Sequence, residues 1–334
     1  MRRAAMHFRP KRRRNDPDWV GMLFATVWAM TRRRIIKPGK IWALSRRTTR
    51  RYFLLNPDGA RQVEQCYWYC LGVAARRFGV VVHAGCLMST HSHAVVTDVR
   101  GELPRFLQEF HRLLALSTKA LRGWPGEIFD KRSTSQHALL TPEAIIEALA
   151  YLITNPVEAG AVRYAHDWPG AHTLPRHIGS RLIEAKRPAH YFDRENPDWP
   201  DTVAFRLRMP TVLEIDYGTE LAQARIAARV REREHRAWRE SKRTGVAFLG
   251  AQRVIRQAHT KRARSYEPFG ILNPQFAAAC HGGAAEDAIR RLRAFNAQYD
   301  KAFAAWTAGK RSVRFPLGTW WMRVCHGAPC GPAP

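Results

Sequence analysis

"VVVHAGCLMSTHSHAVVTDV", residues 80–99, decides the fold. Val80–Met88 and His91–Val96 are apolar, β-branched runs separated only by Ser89 and Thr90. So short a connection cannot carry a parallel crossover, and the two runs predict an antiparallel hairpin. Side chains alternate along a strand, which puts His91 and His93 on one face and Ser92 and Ala94 on the other. Two neutral imidazoles about 6–7 Å apart on one strand face can share a metal ion. The spacing alone is weak, because a chain with 14 His in 334 residues carries about half an H-x-H by chance. Other residues must complete a site.

Working outward, Ile41–Ser45 reads as a strand. After "NPDG", a helix is expected from Val63, Tyr67, Cys70, Leu71, Ala74 and Phe78 at helical spacing. Beyond the hairpin, Leu103, Phe106, Leu107, Phe110, Leu113, Leu114 and Leu121 define a second amphipathic helix, and a strand is expected within Glu127–Leu140. The order βαββαβ predicts an α+β fold: a ferredoxin-like antiparallel sheet with helices on one face. It is followed by a mainly helical, basic C-terminal extension.

"TPEAIIEALAYLITNP", residues 141–156, has Thr141 as N-cap, Pro142 at the first helical position and an expected stop at Asn155, before Pro156. Ile145, Leu149 and Leu152 form its apolar stripe, and Ala144, Ala148, Tyr151 and Asn155 share one flank. Two alanines let that flank lie close to a sheet, bringing a phenol and a carboxamide towards the histidines. An interfacial tyrosine and an asparagine C-cap are the structural alternatives.

Composition indicates the partner. The chain has 55 Lys and Arg against 28 Asp and Glu, a net +27, with 46% hydrophobic residues. It is long enough for two or three folded domains, and its charge implies a densely anionic partner, nucleic acid or a membrane surface. Residues 1–51 hold 16 basic residues and two Asp, clustered as "RRR" at 12–14, "RRR" at 32–34 and "RRTTRR" at 46–51. The apolar N-terminal run Trp19–Met30 is 12 residues, whereas a spanning helix needs roughly 20. No membrane partner and a cytoplasmic location are therefore expected. The six cysteines form no C-x-x-C pair and read as reduced thiols. In the "CHGAPC" tail, Cys325, His326 and Cys330 lack a fourth zinc ligand.

"MSTHSH" at 88–93 resembles the H-hydrophobic-H signature of the HUH single-tyrosine transposases. "YLITNPVEAGAV" at 151–162 is similar to the Y-I-x-x-N-P-V-x-A-G-L-V stretch of their REP-associated tyrosine transposase branch. "GEIFDKR" before that helix and "HDWPGAHT" after it extend the resemblance over residues 41–173. Ser92 departs from the pattern, since a hydrophobic residue is usual between the two histidines.

The resemblance implies a catalytic Tyr151 and a metal set of His91, His93 and Asn155 holding Mg2+ or Mn2+. The substrate would be single-stranded or hairpin DNA, cleaved and rejoined through a 5′-phosphotyrosine. Imidazole ligands suit Mn2+ better than Mg2+. Arg46, Arg47, Arg50, Arg51, Lys131 and Arg132 are candidate DNA contacts. The implied organisation is a basic arm over 1–40, a catalytic unit over 41–175 and an accessory, DNA-binding region over 176–334. In that region "DTVAFRLRMP" alternates as a strand, and residues 218–243 read as a basic helix. Residues 245–265 suggest a short helical unit compatible with helix-turn-helix binding or with a solvated basic helix. A non-catalytic DNA- or RNA-binding regulator on the same fold is the alternative. "RRFGVVVH" at 76–83 resembles part of the RNA-recognition signature, but its later stacking positions are Val80 and Val82. Monomer and homodimer both stay open.

Overall fold

The computed structural model describes residues 33–131, 134–264, 275–278 and 282–331. Its centre is built from β1 (Lys40–Arg47), α1 (Gln62–Phe78), β2 (Val80–Met88), β3 (His91–Asp98), α2 (Leu103–Arg122) and β4 (Ser135–Leu139). Strand order is β2-β3-β1-β4, with each neighbouring pair antiparallel. The fold is α+β. Ser89 and Thr90 form the turn of the expected hairpin, and both α1 and α2 end on a glycine in the left-handed region.

Three features differ from the sequence reading. The sheet is mixed, because β7 (Phe276–Ala277) pairs parallel with β4; a two-residue strand carries no periodic signal. The strand expected within 127–140 shrinks to Ser135–Leu139, and Phe129 makes only an isolated bridge to Thr48. Helices cover both faces. Trp42, Leu44, Val82, Ala94 and Val96 pack with Phe106, Phe110 and Leu113 beneath α1 and α2. On the other side Ile41, Ala84, Cys86 and Val95 meet α3 (Pro142–Glu158). Strands apolar on both faces need a helical layer on each.

Thr141 caps α3 as expected, its Oγ1 accepting from the Ala144 N–H at 3.2 Å. The expected stop at Asn155 is overturned: the helix runs through Pro156 to Glu158. Proline removes only one N–H this close to the end, and the turn closes with Ala159 N–H to the Asn155 carbonyl at 3.0 Å. Asn155 thus projects from a helical turn and is not a cap.

The basic helix expected at 218–243 is α4 (Thr211–Thr244), interrupted at Gly218 where φ is 72°. Along it Ala222, Ile226 and Val230 recur every fourth residue and join the core beside α3. A hairpin of β5 (Leu182–Lys186) and β6 (Thr202–Arg206) lies on α1, where Val203 and Phe205 fill the space beside Gly72. Short α5 (Ala251–Ile255) follows, and α6 (Gly282–Thr307) and α7 (Trp320–His326) enclose a small third core around Phe315. Among the described residues no helix is long and apolar enough to cross a membrane.

Candidate functional site

The site forms where α3 crosses the open face of the hairpin. His93 lies between Cys86 on β2 and Ser45 on β1, and His91 between Met88 and Arg47. Strand alternation brings both imidazoles to this face, with ring centroids 4.5 Å apart and planes at 81°. From α3, the Asn155 amide nitrogen is 3.3 Å from His93 Nε2. The Tyr151 ring stands edge-on to His93 at 5.7 Å. Tyr151 and Asn155 are one helical turn apart, which lets one short segment deliver both groups.

His93 is held from behind. Tyr67 of α1 donates its hydroxyl to the His93 backbone carbonyl at 2.7 Å, deep in the core. That hydroxyl occupies space beside Gly85, where an added Cβ would lie 2.6 Å from it. The sequence reading took Tyr67 for an apolar core position and missed this role. A glycine inside a strand was the available signal, since it marks close approach of another group.

Burial drives the His93 pKa well below the ordinary histidine range, with the charges of His91 and Arg47 adding to the effect. His93 is therefore neutral at pH 7 and offers a lone pair. Burial pushes the Tyr151 phenol up, as does Glu158, while the Asn155 hydrogen bond and the Arg233 and Arg47 charges oppose that rise. The resting nucleophile candidate is a protonated phenol.

Among the described residues no group of three His, Cys, Asp or Glu side chains is arranged to hold a metal. A cation here would rest on two imidazoles and the Asn155 amide. The donor chemistry fits: neutral imidazole suits a divalent transition ion, and rotating the carboxamide presents Oδ1 in place of Nδ2.

The basic candidates separate. Arg47, opposite His91, is exposed on the histidine face. Arg46 points to the opposite face, where it donates to the Asp130 carbonyl at 2.8 Å and lies over Phe129. Arg50 and Arg51 sit in a single turn at Thr49–Arg51, both with positive φ, and Arg50 is exposed. Lys131 is exposed, and Arg132 lies outside the described residues. Sequence reading also missed a stack beside them: Arg262 lies over Tyr52 at 4.3 Å, and Tyr52 meets Trp124 edge-on at 4.8 Å.

No protein-family model and no curated protein matches this chain. Among solved structures, it is similar to a REP-associated tyrosine transposase bound to a REP hairpin. The identity is 21% and the TM-score 0.37, over 45% of this chain and 85% of that one.

Proposed function

We propose that this chain is a divalent-metal-dependent transesterase of single-stranded or hairpin DNA, working on a ferredoxin-like βαββαβ unit with Tyr151 as nucleophile. The observation that supports this reading is the convergence of His91 and His93 from β3 with Tyr151 and Asn155 from α3 on one sheet face. A structural histidine pair has no need of a phenol and a carboxamide at its rim.

In the proposed reaction Tyr151 Oη attacks the scissile phosphorus in line and gives up its proton. The P–O3′ bond breaks, and the departing 3′ oxygen takes a proton to become a free hydroxyl. Tyr151 retains the 5′-phosphate, and attack by a second 3′-hydroxyl reverses the step to reseal a strand. His91, His93 and Asn155 would hold the divalent ion, which when bound supplies positive charge and orientation to the phosphoryl oxygens. Arg47 meets the incoming phosphate from the C-terminal end of β1. Asn155 orients the phenol from one helical turn away.

The test uses 5′-labelled and 3′-labelled hairpin oligonucleotides with Mn2+ and denaturing gels. The 3′ label should migrate with the protein and the 5′ label should end on a free 3′-hydroxyl fragment. Tyr151→Phe should abolish the adduct while changing DNA affinity by less than about 1 kcal/mol. An adduct persisting in the Phe variant would place the nucleophile elsewhere. Tight binding without any adduct in the unmodified protein would favour the non-catalytic regulator.

A further inference from the structure

The nucleophile candidate sits on an acidic stripe. Glu147, Tyr151, Thr154 and Glu158 are spaced i, i+4, i+7 and i+11, so they share the face of α3 that meets α4. Two carboxylates flanking a phenol are an unfavourable setting for a reaction with a phosphate diester, since each repels the substrate. The structure cancels them from the accessory helix. Arg233 of α4 donates from Nε to Glu158 at 2.8 Å and to Thr154 Oγ1 at 3.2 Å, and from Nη1 to Glu147. Arg229, one turn earlier, donates to the other Glu147 oxygen at 2.5 Å. The Arg233 guanidinium lies 5.3 Å from the Tyr151 ring centroid. Its side chain is only 12% exposed.

We propose that Arg233 is a positioning residue for the Tyr151 reaction: by tying Glu147 and Glu158 together across the phenol, it keeps the nucleophile's face of α3 neutral to an incoming phosphate. The inference rests on Tyr151 being the nucleophile, as proposed above. Arg229 and Glu158 are partly exposed, but burying the Arg233 guanidinium is a poor way to hold two helices together, because apolar side chains of similar volume do so at least as well without the desolvation cost. Ala222, Ile226 and Val230 already supply that apolar contact. The charges around Tyr151 are Glu147 and Glu158 on its own helix, Arg229 and Arg233 on α4, and Arg47 on β1; the neutral His93 faces it from β3. Without Arg233, Glu158 loses its ion pair and Glu147 keeps a cation that it shares with Glu232.

The test compares Arg233→Met, Arg233→Lys and the triple variant Glu147→Gln, Glu158→Gln, Arg233→Met. The readout is the rate of adduct formation at saturating oligonucleotide with Mn2+, alongside thermal unfolding and DNA affinity. Arg233→Met should slow the saturated rate by about 10–100-fold. The triple variant, which removes the carboxylates along with the cation, should recover to within about threefold of the unmodified protein. Arg233→Lys keeps the charge and loses the fork, so it should fall between them. A wild-type rate in Arg233→Met overturns the proposal. So does a triple variant that melts like the unmodified protein yet stays as slow as the single one, because Arg233 would then be a plain tether. Tyr151→Phe serves as the control: an adduct that survives it removes the Tyr151 reading itself, whereas an adduct dependent on Tyr151 but indifferent to Arg233 removes only this inference.

Discussion

His93 is the most constrained group of the candidate site. Its backbone carbonyl is fixed by Tyr67, its ring by His91 and Tyr151, and its Nε2 faces Asn155. Burial keeps it neutral, so it can donate to a cation at pH 7 without first losing a proton. His91 is half-buried at the strand end, with Nδ1 2.9 Å from Thr90 Oγ1. In the proposed reaction the two rings act as one ligand set, and groups acting as a unit are not additive. His91→Ala, His93→Ala and the double variant should each lower adduct formation at limiting Mn2+ by at least about 100-fold, the double no more than either single. Asn155→Ala should be milder, because water can replace one oxygen donor, and Asn155→Asp should tighten Mn2+ binding measured by calorimetry. Normal cleavage by both single His variants would reduce the pair to a structural feature.

At the scale of elements, the hairpin is placed by what lies behind it. Gly85 leaves room on β2 for Tyr67 and Trp68 of α1, and that gap lets the Tyr67 hydroxyl reach β3. Gly85→Ala puts a methyl 2.6 Å from Tyr67 Oη and 2.9 Å from the Trp68 ring, and overpacking of this kind costs about 1–3 kcal/mol. Tyr67→Phe keeps the ring and loses one buried hydrogen bond, about 1 kcal/mol. Both should lower the urea midpoint, and both should weaken Mn2+ binding by loosening His93. A Gly85→Ala protein as stable as the unmodified one would show that α1 and β2 can part at no cost. Two periods legible in the chain, 2 on β3 and 3.6 on α3, are enough to place His91, His93, Tyr151 and Asn155 on facing surfaces. The ends of α1, α2 and β2 are equally readable from their capping glycines and apolar runs. Tyr67 and Arg233 are not, because each acts across a tertiary contact that local spacing does not encode. Pro156 misleads for a related reason: the local rule against α conformation before proline yields when packing on both sides holds the helix together.

Across the whole molecule, five imidazoles that are buried or half-buried are kept neutral. Burial lowers the pKa of His83, His137 and His172 to about 4 and of His111 to about 3, and carries His93 well below its usual range. In the unfolded chain these groups take up protons near pH 6.5, whereas in the folded chain they do not. Folded-state values below unfolded ones mean that the unfolded state binds more protons as pH falls. The stability present above pH 6.5 is therefore lost progressively towards pH 4, by about 1.4 kcal/mol per group for every tenfold by which burial weakens its proton affinity. A formal net charge of +27 at pH 7 leaves little reserve, since every added proton also increases self-repulsion. The urea midpoint should fall steeply between pH 6.5 and 4.5, and the descent should be shallower in His111→Phe. That ring already packs against Phe110 and Phe129, so phenylalanine suits its surroundings and cannot take up a proton. A midpoint that holds level from pH 7 to 4.5 would mean that these imidazoles are protonated in the folded protein.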